Sequence, residues 1–134
     1  MTFEELQALF DGRDIDITTL PEGVLDNASY FGRIFARCGG LADAVKEGLK
    51  EQGLEEFDFK PCTCDGIDAC RIAMLQKSKG KLDANFIEGM ACLGGCIGGA
   101  GCLTHGERSK LDVDKYGMEA YQKTILDAVS ALKK

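Results

Sequence analysis

The sequence has no tryptophan, a single histidine and no apolar run long enough for a transmembrane helix of about 20 residues. Residues 1–20 are acidic and amphipathic, so they lack the basic start and apolar middle of a secretion signal. Basic residues are also outnumbered, 16 against 22 acidic ones, which gives a net charge of −6 and an isoelectric point of about 4.8. These shortages predict a cytoplasmic protein without nucleic-acid or membrane partners.

Length and cysteine content limit the class of protein further. With 134 residues, 45% of them hydrophobic, the chain is expected to form a single domain over residues 1–134 and to bury one core. Seven cysteines make an odd count without a secretion signal, which favours reduced thiols or metal ligands over a disulfide framework. They are Cys38, Cys62, Cys64, Cys70, Cys92, Cys96 and Cys102.

The hydrophobic pattern predicts an α/β fold with a small mixed or parallel sheet flanked by helices. A strand, a helix and a strand in that order indicate a parallel crossover rather than a helical bundle. Gly39 and Gly40 are expected to kink or restart a helical stripe over residues 28–52. The other predicted elements are a helix over 2–11 with a Thr2–Glu5 capping box, a loop over 11–27, a strand that alternates over 57–60 and runs toward Cys62, a helix capped by Asp65 that ends near Gly80, a strand over 84–90 and a helix over 114–133.

The most informative stretch is glycine-rich and lies after the last predicted strand. It contains Cys92 and Cys96 in a C-x3-C arrangement. Thiolates are the soft ligands that iron-sulfur clusters and zinc select, and glycines let backbone N–H groups approach a cluster closely. The alternative is a glycine-rich turn that carries buried thiols, since free cysteine is also a common core residue.

The residues around this pair resemble a known family. Residues 86–99, FIEGMACLGGCIGG, closely resemble the last cysteine motif of the iron-only ([FeFe]) hydrogenase large subunit. Residues 32–45, GRIFARCGGLADAV, are similar to the same family's F-x-x-x-G-G-x-x-x-A segment, and together they extend the resemblance over roughly residues 28–103. Leu93 stands where the family usually has proline, and Gly-Cys-Leu at 101–103 replaces a frequent Gly-Gln-Pro. These departures indicate a divergent subgroup.

The resemblance implies a role for each cysteine of the motif. In the family, a 4Fe-4S cubane is bridged to a two-iron unit, together called the H-cluster, and four cysteines hold it. Cys92 matches a cubane ligand, and Cys96 matches the cysteine that also bridges to the two-iron unit. Met90 and Phe35 match residues that line the pocket of that unit, with core packing as the alternative for both.

The other two family ligands and the proton-relay cysteine lie in motifs upstream of both segments. No Thr-Ser-Cys motif occurs in this chain. Pro61, Cys62 and Thr63 share the letters of the family's Pro-Cys-Thr motif, but they lie between the two recognised segments, so we interpret the match as coincidence. The chain therefore resembles the C-terminal lobe of a larger catalytic subunit.

Two functions of different classes follow from the resemblance. In the first, the chain is the cluster-binding part of an enzyme that interconverts dihydrogen with protons and electrons, and alone it is inactive and largely without metal. Its partners are then the N-terminal lobe of the same subunit, an electron donor such as ferredoxin and cluster maturation proteins. A homodimer through the cysteine-bearing face is the alternative assembly. In the second, the chain is a non-catalytic iron-sulfur sensory or electron-transfer relative.

The remaining metal-ligand types carry weaker signals. Cys62, Cys64 and Cys70 are candidates for a second metal, but C-x-C is not the usual zinc spacing, and a strand would point Cys62 and Cys64 to one face. Buried thiols are the preferred interpretation for these three. Cys102 is a candidate substitute for an absent cluster ligand. His105, in a glycine-flanked loop, is expected to be exposed rather than to bind metal or relay protons.

Overall fold

The computed structural model describes residues 1–23 and 28–132, without the side chain of residue 132. The predicted α/β class is confirmed, because the described residues form six α-helices and a two-stranded parallel sheet. None of these helices is both long and apolar enough to cross a bilayer. The elements are α1 (Phe3–Asp11), α2 (Tyr30–Arg33), α3 (Gly40–Glu51), β1 (Pro61–Asp65), α4 (Ile67–Ser78), β2 (Phe86–Met90), α5 (Glu107–Met118) and α6 (Ile125–Leu132), with short 3-10 turns at Ile17–Thr19 and Cys96–Gly98.

The sheet pairs β1 with β2 in parallel, in register from Pro61 opposite Phe86 to Asp65 opposite Met90. Parallel strands need a crossover, and α4 supplies it as the pattern predicts. The strand predicted to run from residue 57 toward Cys62 is present only in its later part, because the pairing with β2 begins at Pro61. The stretch before it is held differently, by a bond of 2.8 Å from the Lys60 amide to the Asn85 side chain.

The N-terminal helix has the predicted capping box. The Glu5 amide donates to Thr2 Oγ1 at 3.1 Å, and the Thr2 amide donates to the Glu5 carboxylate at 2.7 Å. The Phe3 amide also donates to the Gly101 carbonyl at 3.1 Å. The start of the chain is thereby tied to the segment that follows the candidate metal motif.

A helix restarts at the glycine pair, as predicted, but α2 has already ended at Arg33. Gly39 has φ +87°, a left-handed conformation that favours glycine, and α3 restarts at Gly40. A Cβ on Gly40 would overlap the Ile34 carbonyl. The Glu88 carboxylate, 2% exposed, accepts bonds of 2.8 Å from the Gly39 and Ala42 amides. A buried side chain of β2 therefore caps α3 in place of a local residue.

The single helix predicted over residues 114–133 is wrong. The structure has two helices there, since α5 ends at Met118 and α6 begins at Ile125. The Asp127 amide donates to Thr124 Oγ1 at 3.0 Å, and the Glu51 carboxylate accepts from the Ile125 and Leu126 amides at 2.7 and 2.9 Å. Both groups fix a new helix start. Residues 133–134, and residues 24–27 of the predicted loop, lie outside the described residues.

The core of the described residues is made mostly of small side chains. Ile34 is the largest fully buried side chain among them. The other buried apolar residues are alanines and Cys64. Large apolar side chains on α4 are exposed instead, including Ile67 at 68% and Met74 at 61%.

Candidate metal centre

The site is built on residues 91–99, called here the cysteine turn, which follow directly after β2. Gly94 and Gly95 have φ of +84° and +95° and reverse the chain between the two thiols. The Gly95 amide donates to the Cys92 carbonyl and the Gly99 amide donates to the Cys96 carbonyl, both at 3.0 Å. Each cysteine thus opens a hydrogen-bonded turn of its own.

The cysteine turn docks on the loop between α2 and α3. The Cys38 amide donates to the Gly94 carbonyl at 3.1 Å, and the Ile97 amide donates to the Ala36 carbonyl at 3.2 Å. A Cβ on Gly95 would lie 2.7 Å from both the Ala36 oxygen and the Cys38 nitrogen, closer than real contacts allow. Only glycine therefore permits this docking, which joins the two sequence segments of the motif.

The second glycine pair packs inside the turn itself. A Cβ on Gly98 would overlap the Leu93 carbonyl oxygen, and one on Gly99 would lie 3.0 Å from the Cys96 carbonyl oxygen. That same Cβ would lie 3.7 Å from Cys92 Sγ. Small residues here leave space beside the Cys92 sulfur, while Cys92 and Cys96 are both exposed.

The carboxylate at the end of β1 holds the turn from the opposite side. Asp65 Oδ1 accepts a bond of 2.5 Å from the Gly94 amide. The helix cap predicted for Asp65 is therefore wrong, since Gly66 occupies the cap position of α4. The Gly66 amide donates in turn to the Met90 carbonyl at 2.9 Å, so both ends of the crossover meet at the turn.

A buried cation fixes the loop on which the turn docks. Arg37, 7% exposed, pairs with Asp43 at 3.0 Å and with Asp114 at 2.5 Å. Burial disfavours its charge, but the hydrogen bonds that it donates to Asp114 and Asp43 outweigh burial and raise the pKa of Arg37. Sequence reasoning missed Arg37 and Glu88, because a periodic pattern does not reveal which charges a fold buries.

The four predicted site residues lie in one part of the molecule. Cys92 and Cys96 sit on the turn, and Met90 is half-buried at the end of β2. Phe35 is 46% exposed and adjoins Ala36, whose carbonyl binds the turn. Phe35 is therefore not part of a closed core. The cluster roles assigned to these residues by resemblance stay predictions.

Two further side chains lie beside the turn. Cys102 Sγ donates to the Cys96 carbonyl at 3.1 Å, and the exposed His105 ring donates from Nε2 to the Gly99 carbonyl at 2.9 Å. No group of three histidine, cysteine, aspartate or glutamate side chains in the described parts of the chain is arranged to hold a metal ion. Cys62, Cys64 and Cys70 therefore form no such set.

Comparison with known families agrees with the geometry. The model of the iron only hydrogenase large subunit, C-terminal domain, matches residues 1–100 of the 134 residues. The chain belongs to this family. The hydrogenase match runs from α1 through the whole cysteine turn and ends before α5. No curated protein matches the chain.

Proposed function

We propose that this chain is the cluster-holding C-terminal lobe of an iron-only hydrogenase, in which Cys92 and Cys96 bind the iron of the H-cluster. The observation that carries the proposal is the cysteine turn, which presents two exposed thiols on a backbone fixed from both sides. A binding site for a cluster needs ligands held in place before the metal arrives. The family supports iron-sulfur chemistry at this turn.

The donor set fits half of such a cluster. A cubane is held by four thiolates, and the turn offers two. Gly99 adds no side chain beside Cys92 Sγ, where a Cβ would lie 3.7 Å from the sulfur. We propose that the N-terminal lobe of the same subunit supplies the missing thiolates and the proton-relay cysteine.

In this proposal, residues of this chain bind the H-cluster and line its pocket. When bound, the H-cluster supplies the chemistry that interconverts dihydrogen with protons and electrons. Cys92 and Cys96 lose their protons to become thiolate ligands, and the glycines of the turn allow the backbone to follow the cluster closely. Met90 and Phe35 line the pocket with apolar surface, and a methionine thioether does not donate a strong hydrogen bond to metal-bound ligands.

Hydrogen evolution from a reduced viologen tests this function. The chain alone should give background rates, because it lacks half of the ligands. The chain combined with its N-terminal lobe, an electron donor such as ferredoxin and the cluster maturation proteins should evolve hydrogen, and Cys92→Ser or Cys96→Ser should abolish the rate. Cys62→Ser serves as the matched control and should keep it. Turnover by the chain alone would contradict the proposal, and a loaded but inactive complex would favour the sensory or electron-transfer alternative.

A further inference from the structure

A second pair of thiols lies on β1, away from the cysteine turn. Cys62 and Cys64 flank Thr63 on the strand, and their sulfur atoms are 3.8 Å apart. Cys64 is only 3% exposed, whereas Cys62 is half-buried and reaches the surface. We propose that Cys62 and Cys64 form a reversible disulfide by exchange with a low-molecular-weight disulfide.

The two sulfur atoms are close enough to react, but the bond requires β1 to bend. Residues i and i+2 of a strand are separated by about 6.6 Å at Cα, since the rise is about 3.3 Å per residue. Disulfides span Cα separations of about 4.4–6.8 Å, so the pair lies near the upper limit. Closing the bond brings the sulfurs from 3.8 Å to about 2.05 Å. It also brings the Cβ atoms from about 6.6 Å in an extended strand to about 3.8 Å, so β1 must bend between Cys62 and Cys64.

The solvent exposure of the two thiols decides which of them reacts first with the external disulfide. The Cys62 thiolate attacks one sulfur of the external disulfide, forms a mixed disulfide and releases the first small thiolate. Cys64 then gives its proton to solvent, attacks the Cys62 sulfur and releases the second. Two protein thiols have lost two protons and two electrons, and the external disulfide has become two thiols. Burial, and then the Cys62 thiol, raise the pKa of Cys64 to about 11, so Cys64 reacts only after Cys62 has.

Formation of the disulfide affects the cysteine turn through Asp65, at the end of β1. Asp65 follows Cys64 directly and accepts the 2.5 Å bond from the Gly94 amide. A bend in β1 that brings Cys62 and Cys64 together displaces the Asp65 backbone and weakens this bond. Oxidation of Cys62 and Cys64 thereby weakens the attachment of the cysteine turn to β1 before any metal is bound.

Peptide mapping tests the site directly. The metal-free chain, reduced and then incubated anaerobically with oxidised glutathione, is quenched with an alkylating reagent, digested with trypsin and cut again after Asp65, which separates Cys70 from the pair. We expect Cys62 and Cys64 to be protected from alkylation in one peptide that has lost two hydrogens, and dithiothreitol to restore both thiols. A disulfide that includes Cys70, or two alkylated thiols at Cys62 and Cys64, overturns the proposal.

Single variants test the order of the steps. Cys64→Ser should keep a lasting glutathione adduct on Cys62, because no second thiol displaces it, whereas Cys62→Ser should leave Cys64 unmodified. Cys70→Ser is the matched control and should form the disulfide as the unmodified chain does. Equal adducts in the Cys62→Ser and Cys64→Ser proteins overturn the proposed order.

Amide hydrogen exchange tests the link to the turn. Exchange at the Gly94 amide should be roughly tenfold faster in the oxidised chain, since one hydrogen bond is weakened. The Cys62→Ser variant treated in the same way should show no change. Unchanged exchange in a chain whose disulfide has been mapped overturns the link. None of these readouts requires a cluster, so their failure leaves the hydrogenase proposal standing.

Discussion

Two pairs of cysteines in this chain differ in solvent exposure and in backbone conformation. Cys92 and Cys96 are exposed on a glycine turn, and each begins a hydrogen-bonded turn of its own. Cys62 and Cys64 lie on a strand, with sulfurs 3.8 Å apart and Cys64 buried. We propose that the first pair binds a cluster and that the second pair forms a disulfide.

The comparison shows that backbone conformation sets the exposure of the thiols in each pair. A strand places alternate side chains on one face at a fixed spacing. A turn with left-handed glycines instead separates its side chains and frees the backbone to approach a ligand. The two arrangements share the crossover β1–α4–β2, so changes to one pair can be compared with the other in the same protein.

The largest expected effect comes from blocking the docking of the cysteine turn. Gly95→Ala places a Cβ 2.7 Å from two backbone atoms at φ +95°, and should lower the free energy of unfolding by about 3 kcal/mol. Gly53→Ala is a matched control, because Gly53 also has positive φ but nothing within 4 Å, and should cost about 1 kcal/mol. Urea unfolding measures both. Equal losses would contradict the docking.

A smaller effect is expected from Glu88, which lies on β2 between the two pairs. Glu88→Gln replaces one buried carboxylate oxygen by an N–H₂ group facing an amide donor, and should cost about 2 kcal/mol in urea unfolding. Glu51→Gln is the control, because that carboxylate also accepts from two helix-start amides but is half-exposed. It should cost less than about 1 kcal/mol. A larger loss for Glu51→Gln would contradict the capping role of Glu88.

The smallest expected effect is a pH dependence of the free energy of unfolding that comes from Cys64. The pKa of Cys64 is raised by burial from 9.0 to about 11 in the folded chain, so folding favours its protonated form. That contribution is complete below pH 9 and is lost as the pH rises through 11. The free energy of unfolding should therefore fall more steeply between pH 9 and 11 in the unmodified chain than in Cys64→Ala. A Cys92→Ala control should keep the full slope, and identical slopes in all three proteins would contradict the shift.

Local signals predicted well where the responsible atoms are close in sequence. The Thr2–Glu5 capping box, the break at Gly39 and the common face of Cys62 and Cys64 each depend on neighbours within a few residues, and each is confirmed. The α/β class follows from the same kind of order, strand before helix before strand. The cysteine motif was recognised by resemblance, and its docking on residues 36–38 agrees with the joint occurrence of both segments.

Errors arose where a distant partner decides the outcome. The first strand begins at Pro61 because β2 pairs with it from there, and alternation in the preceding residues could not show that. The last helix divides because Glu51 caps a new start at Ile125. Thr124, three residues before Asp127, is a helix-start signal in the sequence itself and would have revealed the break. Asp65 does not cap α4 as predicted, because its carboxylate accepts a hydrogen bond from the Gly94 amide, which is distant in sequence.

Iron and sulfide content after anaerobic reconstitution tests the central claim most directly, namely that Cys92 and Cys96 are the cluster ligands of this chain. With two thiolates of the four that a cubane expects, the unmodified chain should bind less than one cubane per molecule. Cys92→Ser and Cys96→Ser should lower iron and sulfide further, while Cys62→Ser should leave both unchanged. Equal iron in all four proteins, or a loss confined to Cys62→Ser, would contradict the account.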